Sequence, residues 1–414
     1  MRRRWALTLV TALALVLAAC AGGSDDATPP TTTSTTGFAV PTTTTTAPAA
    51  GRTTNLPATG LTECFDDHTT INCPDEDGAF ALQDGQVRAG GPLGYTDEGA
   101  GTVTDDVTGL VWQRDPAPST WAEAEADAVA ADTGGRDDWR VPTVTELWSL
   151  LDLGVEDGTG AGEDAPLLDP DAFALGAAGS RYLTATESAP STGTGAPSYF
   201  VVDFATGRTT TVRETAAGAT RPLALRLVRG GDGYGEQDLT GNGDGTITDE
   251  ATGLTWLQPD SGDRAFAGAV AGTATGDGTL DWEEALAFCA DLDVAGIDGW
   301  RLPNAKELQS LVDETRVATG GAPVLDPLFA TTAPGDDADE AFAGAAWTST
   351  SAGPTTADVV QFGRVLAPDD DPPTRSRVPG AVRAAPKAGE GSPRLPARCV
   401  SGGEVAGGAG VSPL

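Results

Sequence analysis

The sequence predicts an α+β protein. One domain, a mainly antiparallel sheet with two helices, is built twice in tandem behind a long disordered tether. Three observations carry this expectation. First, long blocks recur in the same order: Thr102–Trp112 (TVTDDVTGLVW) returns as Thr246–Trp256 (TITDEATGLTW), and Trp139–Asp152 (WRVPTVTELWSLLD) as Trp300–Asp313 (WRLPNAKELQSLVD). Second, each copy holds two stretches whose apolar residues recur at helical spacing behind a capping signature. Third, short runs rich in β-branched and aromatic residues lie before and after those helices, which is the arrangement of an α+β sheet rather than of alternating βα units. The duplication also supplies an internal comparison: what both copies keep serves the shared fold.

The chain begins with a basic stretch, Met1–Arg4, and an apolar stretch, Trp5–Leu17, too short to span a bilayer. Leu17-Ala-Ala-Cys20 then resembles a bacterial lipobox. The resemblance implies that residues 1–19 are a signal peptide and that Cys20 carries a lipid, which anchors the protein to the outer face of the cytoplasmic membrane. Residues 20–58 form a tether of threonine and proline with almost nothing to bury, so disorder is expected there. The first copy is placed at 59–230 with a Cys64–Cys73 lead-in, the second at 231–402, and a tail at 403–414.

Each copy opens on a hairpin, as in Gly245–Asp249 and Thr252–Trp256, where Thr, Ile and Trp favour strands and Asp-Glu-Ala-Thr-Gly supplies the turn. A helix follows. Asp281 and Glu284 cap it in the second copy, with Trp282, Ala285, Leu286, Cys289 and Leu292 on one face; Thr120 and Glu123 take the same roles in the first copy. Next comes Trp-Arg-Val/Leu-Pro, extended because proline disfavours the helical region for its predecessor. Thr143 with Glu146, and Asn304 with Glu307, cap the second helix. Strands close each copy: Tyr199–Phe204 and Asp358–Phe362, then Leu225–Arg229 and Ala397–Val400.

The series Gly-Asp-Gly-Thr-Ile-Thr-Asp, Thr-Gly-Leu-Thr-Trp256, Trp282-Glu-Glu-Ala-Leu, Trp300-Arg-Leu-Pro-Asn-Ala-Lys-Glu-Leu and Trp347-Thr-Ser-Thr resembles the Lcl C-terminal domain family of bacterial envelope and secreted domains. The lead-in, Thr59–Cys64 with Asn72-Cys-Pro, is similar to a segment seen before such domains. The family is related to C-type-lectin-like and formylglycine-generating-enzyme-like folds. The resemblance therefore implies two tandem C-type-lectin-like domains.

Composition narrows the partners. Lys+Arg number 25 against Asp+Glu 60, a formal charge of −35, and Lys306 and Lys387 are the only lysines. Such acidity repels nucleic acid and suits cations or basic partners. His68 is the only histidine and falls in the polar loop between Cys64 and Cys73, so no repeated histidine-based catalytic or zinc site can be built.

The cysteines read as staples. Cys64 and Cys73 bracket a short loop. Cys289 and Cys399 are replaced together in the first copy, by Ala128 and Leu227, as expected of a bonded pair; a bridge from the first helix to the last strand is also what a lectin-like fold uses. Trp139, Arg140, Pro142 and Glu146, with Trp300, Arg301, Pro303 and Glu307, read as a structural motif in which tryptophan enters the core and arginine meets a carboxylate. Asp238, Asn242, Asp244 and Asp249 are the calcium candidates, in a Gly-rich loop whose register departs from a calcium loop because Thr240 holds its first position. Calcium is thus the single cofactor considered.

No catalytic constellation can be assembled from these residues. The function expected is a non-catalytic cell-surface lipoprotein whose paired domains bind an extracellular glycan or protein. The alternatives are an envelope spacer without a discrete ligand and, less favoured, a formylglycine-generating-enzyme-like oxidoreductase. The copy-specific loops Ser261–Gly278 and Pro368–Pro393 are the expected seat of specificity.

Overall fold

The computed structural model describes residues 54–156, 166–176, 179–188, 198–213, 215–216, 219–220, 222–231, 233–263, 278–313, 315–316, 323–332, 342, 344–363 and 379–403. The signal peptide, Cys20, nearly all of the tether, residues 264–277 of the first copy-specific loop and 368–378 of the second, the aspartate-rich stretch 336–340, and the tail beyond Gly403 lie outside the described residues.

In chain order the lead-in contributes β1 (Cys64–Phe65), β2 (Thr70–Ile71) and α1 (Asp84–Val87). The first copy follows with β3 (Tyr95–Gly99), β4 (Thr102–Asp105), β5 (Leu110–Gln113), β6 (Ala117–Ser119), α2 (Trp121–Ala130), α3 (Val144–Ser149), β7 (Arg181–Ser188), β8 (Ser198–Asp203) and β9 (Arg208–Arg213). It ends on the small hairpin β10 (Thr215–Ala216) and β11 (Ala219–Thr220), then β12 (Leu223–Leu225) and β13 (Val228–Gly230). The second copy holds β14 (Leu239–Gly241), β15 (Thr246–Asp249), β16 (Leu254–Leu257), α4 (Trp282–Ala290) and α5 (Ala305–Gln309). It closes with β17 (Ala345–Ser351), β18 (Thr356–Gln361), β19 (Val382–Pro386) and β20 (Val400–Ser401).

Each copy forms two of the main sheets: β13-β5-β4-β3 and β6-β12-β7-β8-β9 in the first, β14-β15-β16-β20 and β17-β18-β19 in the second. The pairings are antiparallel except for β12 with β7. The duplicated hairpins fall in register: Val103 faces Trp112 across one, and Ile247 faces Trp256 across the other.

This architecture corrects the expected fold class. The described chain is mostly β, its longest helix spans ten residues, and its four small sheets are arranged as a four-bladed β-propeller rather than as two C-type-lectin-like domains. The predicted helices form, but they are short, and α3 and α5 pack on each other across the repeat. One buried cluster accordingly joins Leu147, Trp148, Leu150 and Leu151 of the first copy to Leu308, Leu311 and Val312 of the second. Periodicity marks an apolar face; it does not say which surface covers it. Two smaller clusters have buried residues from one copy each, one around Trp282 and Cys289 with Phe80 of the lead-in packed against it, the other around Ala124, Ala128 and Leu227.

The lead-in is seated on both copies. Gly90 N–H donates to Gly403 O at 3.3 Å, and Asn304 Nδ2 donates to Ala89 O at 3.1 Å, so the segment that enters the first copy lies against the end of the second. Leu153 N–H donates to Thr59 O at 2.7 Å, which ties the same segment to the first copy.

Candidate functional site

The repeated Trp-Arg-x-Pro turn is a structural joint in both copies. Trp139 and Trp300 are buried, as are Trp112 and Trp256 of the repeated hairpins. Thr143 and Asn304 each accept the N–H of the glutamate three residues on, and Glu146 and Glu307 reach back to the cap N–H, which completes a capping box at α3 and at α5. The arginine then grips that glutamate with both Nη atoms. Arg301 Nη1 and Nη2 lie 2.7 and 2.6 Å from Glu307, and Nη2 also donates to Gly402 O at 2.9 Å. Arg140 pairs with Glu146 in the same way and reaches Gly230 O at 3.3 Å. Backbone bonds from Arg140 to Val228 and from Arg301 to Val400 complete the joint. The motif thus pins the last strand of each copy to a helix cap. The pair in the second copy is sealed from solvent, whereas the Arg140 side chain is 42% exposed.

A second shared arginine was missed in the sequence. Arg226 Nη1 donates to the carbonyls of Gln113 and Arg114, both at 2.6 Å, and Nη2 to Ala174 O at 2.6 Å. Arg398 repeats this on Gln258 O (3.1 Å) and Ala330 O (2.9 Å), and each guanidinium lies 4.8 Å from the ring of Phe173 or Phe329. The signal was present, because Leu225–Val228 aligns with the final strand of the second copy with arginine kept. Burial pulls the Arg398 guanidinium down to about 10, with Asp260 opposing the shift.

Both lysines of the chain are buried ties. Lys306 Nζ donates to Ala58 O at 2.9 Å and to Ser149 O at 3.0 Å, so one ammonium joins the lead-in, the first copy and the second. Burial lowers its pKa to about 8, against the attraction of Asp105, Asp152 and Asp84. Lys387 Nζ donates to Asp66 O at 3.0 Å and lies 4.1 Å from the Trp282 ring and 5.1 Å from that of Phe65. Burial lowers it to about 7, with Asp66 and Asp67 opposing. Asp84 is the lead-in's matching acid. Its Oδ2 accepts from Thr59 and Thr350 hydroxyls, both at 2.7 Å, while burial raises its pKa to about 6. That only two lysines occur in so acidic a chain was the sequence signal for the lysine ties; Asp84 had none.

The calcium candidates do not converge. Asp244 Oδ1 accepts from the N–H and hydroxyl of Thr246, and Asn242 Nδ2 donates to the hydroxyls of Thr246 and Thr248. Asp249 accepts from Asp238 N–H, Ala251 N–H and the Thr252 hydroxyl, and burial raises its pKa. Asp105, its counterpart, likewise accepts from the N–H groups of Val107 and Thr108, so both aspartates close a turn. Among the described residues, the carboxylate and imidazole atoms close enough to share an ion are those of Asp66, Asp67 and His68, in the loop closed by the first disulfide. His68 is solvent-exposed, as expected of a polar loop.

The cysteine pairing stands as expected. Cys64 is bonded to Cys73, and Cys289 on α4 to Cys399 beside β20. In the first copy Ala128 and Leu227 are buried in one apolar cluster in place of the second bridge. One capping expectation needs correction. Asp281 and Glu284 form a capping box on α4, but the Thr120 hydroxyl donates to Glu123 Oε2 at 2.7 Å and accepts no helix N–H. Asp138, next to the repeated turn, is bound by Arg229 at 2.6 and 2.8 Å.

Residues 101–229 and 245–377 each match the model of the Lcl C-terminal domain. The chain belongs to that family. No curated protein and no solved structure matches it. Both matched stretches carry the Trp-Arg-x-Pro joint and its capping box, so the Lcl C-terminal repeat is, in this chain, the unit that places one arginine–glutamate grip per copy.

Proposed function

We propose that this Lcl C-terminal protein is a lipid-anchored, non-catalytic protein of the cell envelope that binds an extracellular ligand, a protein or a glycan. The observation that carries the reading is how the side chains common to both copies are used. The arginines, glutamates and aspartates kept in the repeat are engaged in caps, turns and carbonyl contacts of the fold. A general acid or base must reach a substrate proton, and groups held in this way do not. The duplicated frame therefore serves to present surfaces that differ between copies. The leader with its lipobox supports the envelope location through resemblance, and the acidity of the chain favours a cationic or neutral partner.

Two measurements test this. Mass spectrometry of the mature N-terminus should find lipid on Cys20, and a product that starts elsewhere would remove the anchor from the proposal. Arrays of glycans, wall polymers and basic proteins should yield saturable binding without turnover. Saturable binding to none of them would favour a spacer, and a reproducible activity on any of them would refute the non-catalytic reading.

A further inference from the structure

The two copies treat one aromatic position differently. Trp121 and Trp282 are the first residues of α2 and α4, at matching places in the repeat. Trp282 is fully buried; its Nε1 donates to Thr348 O at 2.8 Å, and the Lys387 ammonium rests on its ring. Trp121 is half-buried. The cause lies on the neighbouring strand. Val201 and Val202 of β8 correspond to Val359 and Val360 of β18, so Tyr199 stands where the second copy has Ala357. Alanine leaves room for the Trp282 indole to reach Thr348. Tyr199 fills that room, and Trp121 stacks outside it, centroids 5.4 Å apart and planes within 8°.

The charges also differ. The register that aligns Val212 with Ala385 puts Glu214 in the sequence place of Lys387. Among the described residues no lysine or arginine lies over Trp121. Glu125 is one helical turn further along α2, on the side of Trp121, and the exposed Glu187 stands directly across from Tyr199 on β7. An indole face with acidic residues at neighbouring helix and strand positions attracts a cation through its quadrupole and through charge.

We infer that the Trp121 face, with Glu125 and Glu187 at neighbouring positions, is a docking site for a lysine side chain of a basic extracellular polypeptide. The second copy supplies the template, since there the chain sets its own lysine on the equivalent tryptophan. The first copy keeps the aromatic ring, lacks the lysine and carries Glu125 one turn along the helix from the ring and Glu187 across the strand from its stacking partner Tyr199. The inference rests on the ligand-binding reading above and narrows it to one partner chemistry.

The test is calorimetric titration of the full chain with pentalysine, with pentalysine acetylated on every Nζ, and with a neutral N-acetylglucosamine trimer, at two salt concentrations. Pentalysine should bind. Trp121→Leu, which keeps an apolar though smaller side chain and removes no charge, should weaken it about three- to tenfold. Glu187→Gln should weaken it most at the lower salt, and the acetylated peptide should lose binding. Each variant should keep a single cooperative thermal melt well above the assay temperature, and Trp121→Phe should recover part of the affinity, which keeps a folding defect distinct from a lost contact. Equal pentalysine binding by the parent and Trp121→Leu would overturn the site. So would equal binding of the acetylated peptide, or binding of the saccharide that depends on Trp121. Binding of another protein or glycan that is indifferent to Trp121 would leave the general reading intact and remove only this site.

Discussion

Asp84 should make the protein less stable as pH rises through 6, and Asp84→Asn should abolish that loss. The carboxyl is buried beneath the lead-in, with both bonds from Thr59 and Thr350 on Oδ2 and no partner for Oδ1. Burial is the largest influence on it and raises its pKa from 3.8 to about 6; the two threonine hydroxyls and Arg301 oppose the shift, and Glu307 adds to it. A folded-state pKa above the unfolded value means that between those two values the folded chain holds more protons than the unfolded one. The stabilising contribution is complete below pH 4 and is lost as pH rises through 6. A shift of about two units, at ~1.4 kcal/mol each, amounts to roughly 3 kcal/mol. Asparagine keeps a carbonyl oxygen for both hydroxyls and does not ionise. Urea unfolding followed by tryptophan fluorescence, from pH 4 to pH 8 with disulfides intact, reads the effect. Asp105 and Asp152 are also raised by burial, so the difference between variant and parent isolates Asp84. The variant should match the parent near pH 4 and exceed it by up to about 3 kcal/mol at pH 7. Parallel curves across that range would refute the reasoning.

Other outcomes follow from the same contacts. Lys306 is held below its unfolded value, so the unfolded chain binds more protons between pH 8 and 10.5, and stability should rise with pH across that window by roughly 3 kcal/mol. Lys306→Met should flatten this rise in denaturation curves, and a persisting rise would assign it to another group. Arg301→Ala should cost about 3–5 kcal/mol, because it strands a buried carboxylate. Arg140→Ala also strands a buried glutamate, but the Arg140 side chain is 42% exposed and water reaches that end of the pair, so it should cost less than Arg301→Ala; equal losses in urea unfolding would show that exposure of the arginine does not separate the two copies. Replacing Cys289 by Ala and Cys399 by Leu, the residues of the first copy, should keep the native near-UV spectrum while lowering stability by about 3–5 kcal/mol on the chain-entropy account. Loss of the folded spectrum would show that the apolar pair cannot stand in for the bridge.

What the sequence determined by itself was short-range or repeated. Capping boxes at Thr143, Asn304 and Asp281 depend on residues three positions apart, and the grip of Arg140 on Glu146 and of Arg301 on Glu307 spans six. The duplication exposed the Cys289–Cys399 pair, because both partners are absent together from the first copy. Local signals also misled, as at Thr120, where the same letters gave a hydroxyl bonded to a carboxylate instead of a full box. Only the tertiary structure decided what covers each apolar face. It set α3 against α5, joined the two copies through one shared buried cluster and arranged four small sheets where two lectin-like units were expected. It also brought Asp84, Lys306 and Lys387 to partners up to 321 residues away. Those contacts depend on how surfaces meet after the chain collapses, and hydrophobic burial is non-directional: it demands that a face be covered without naming the surface that covers it.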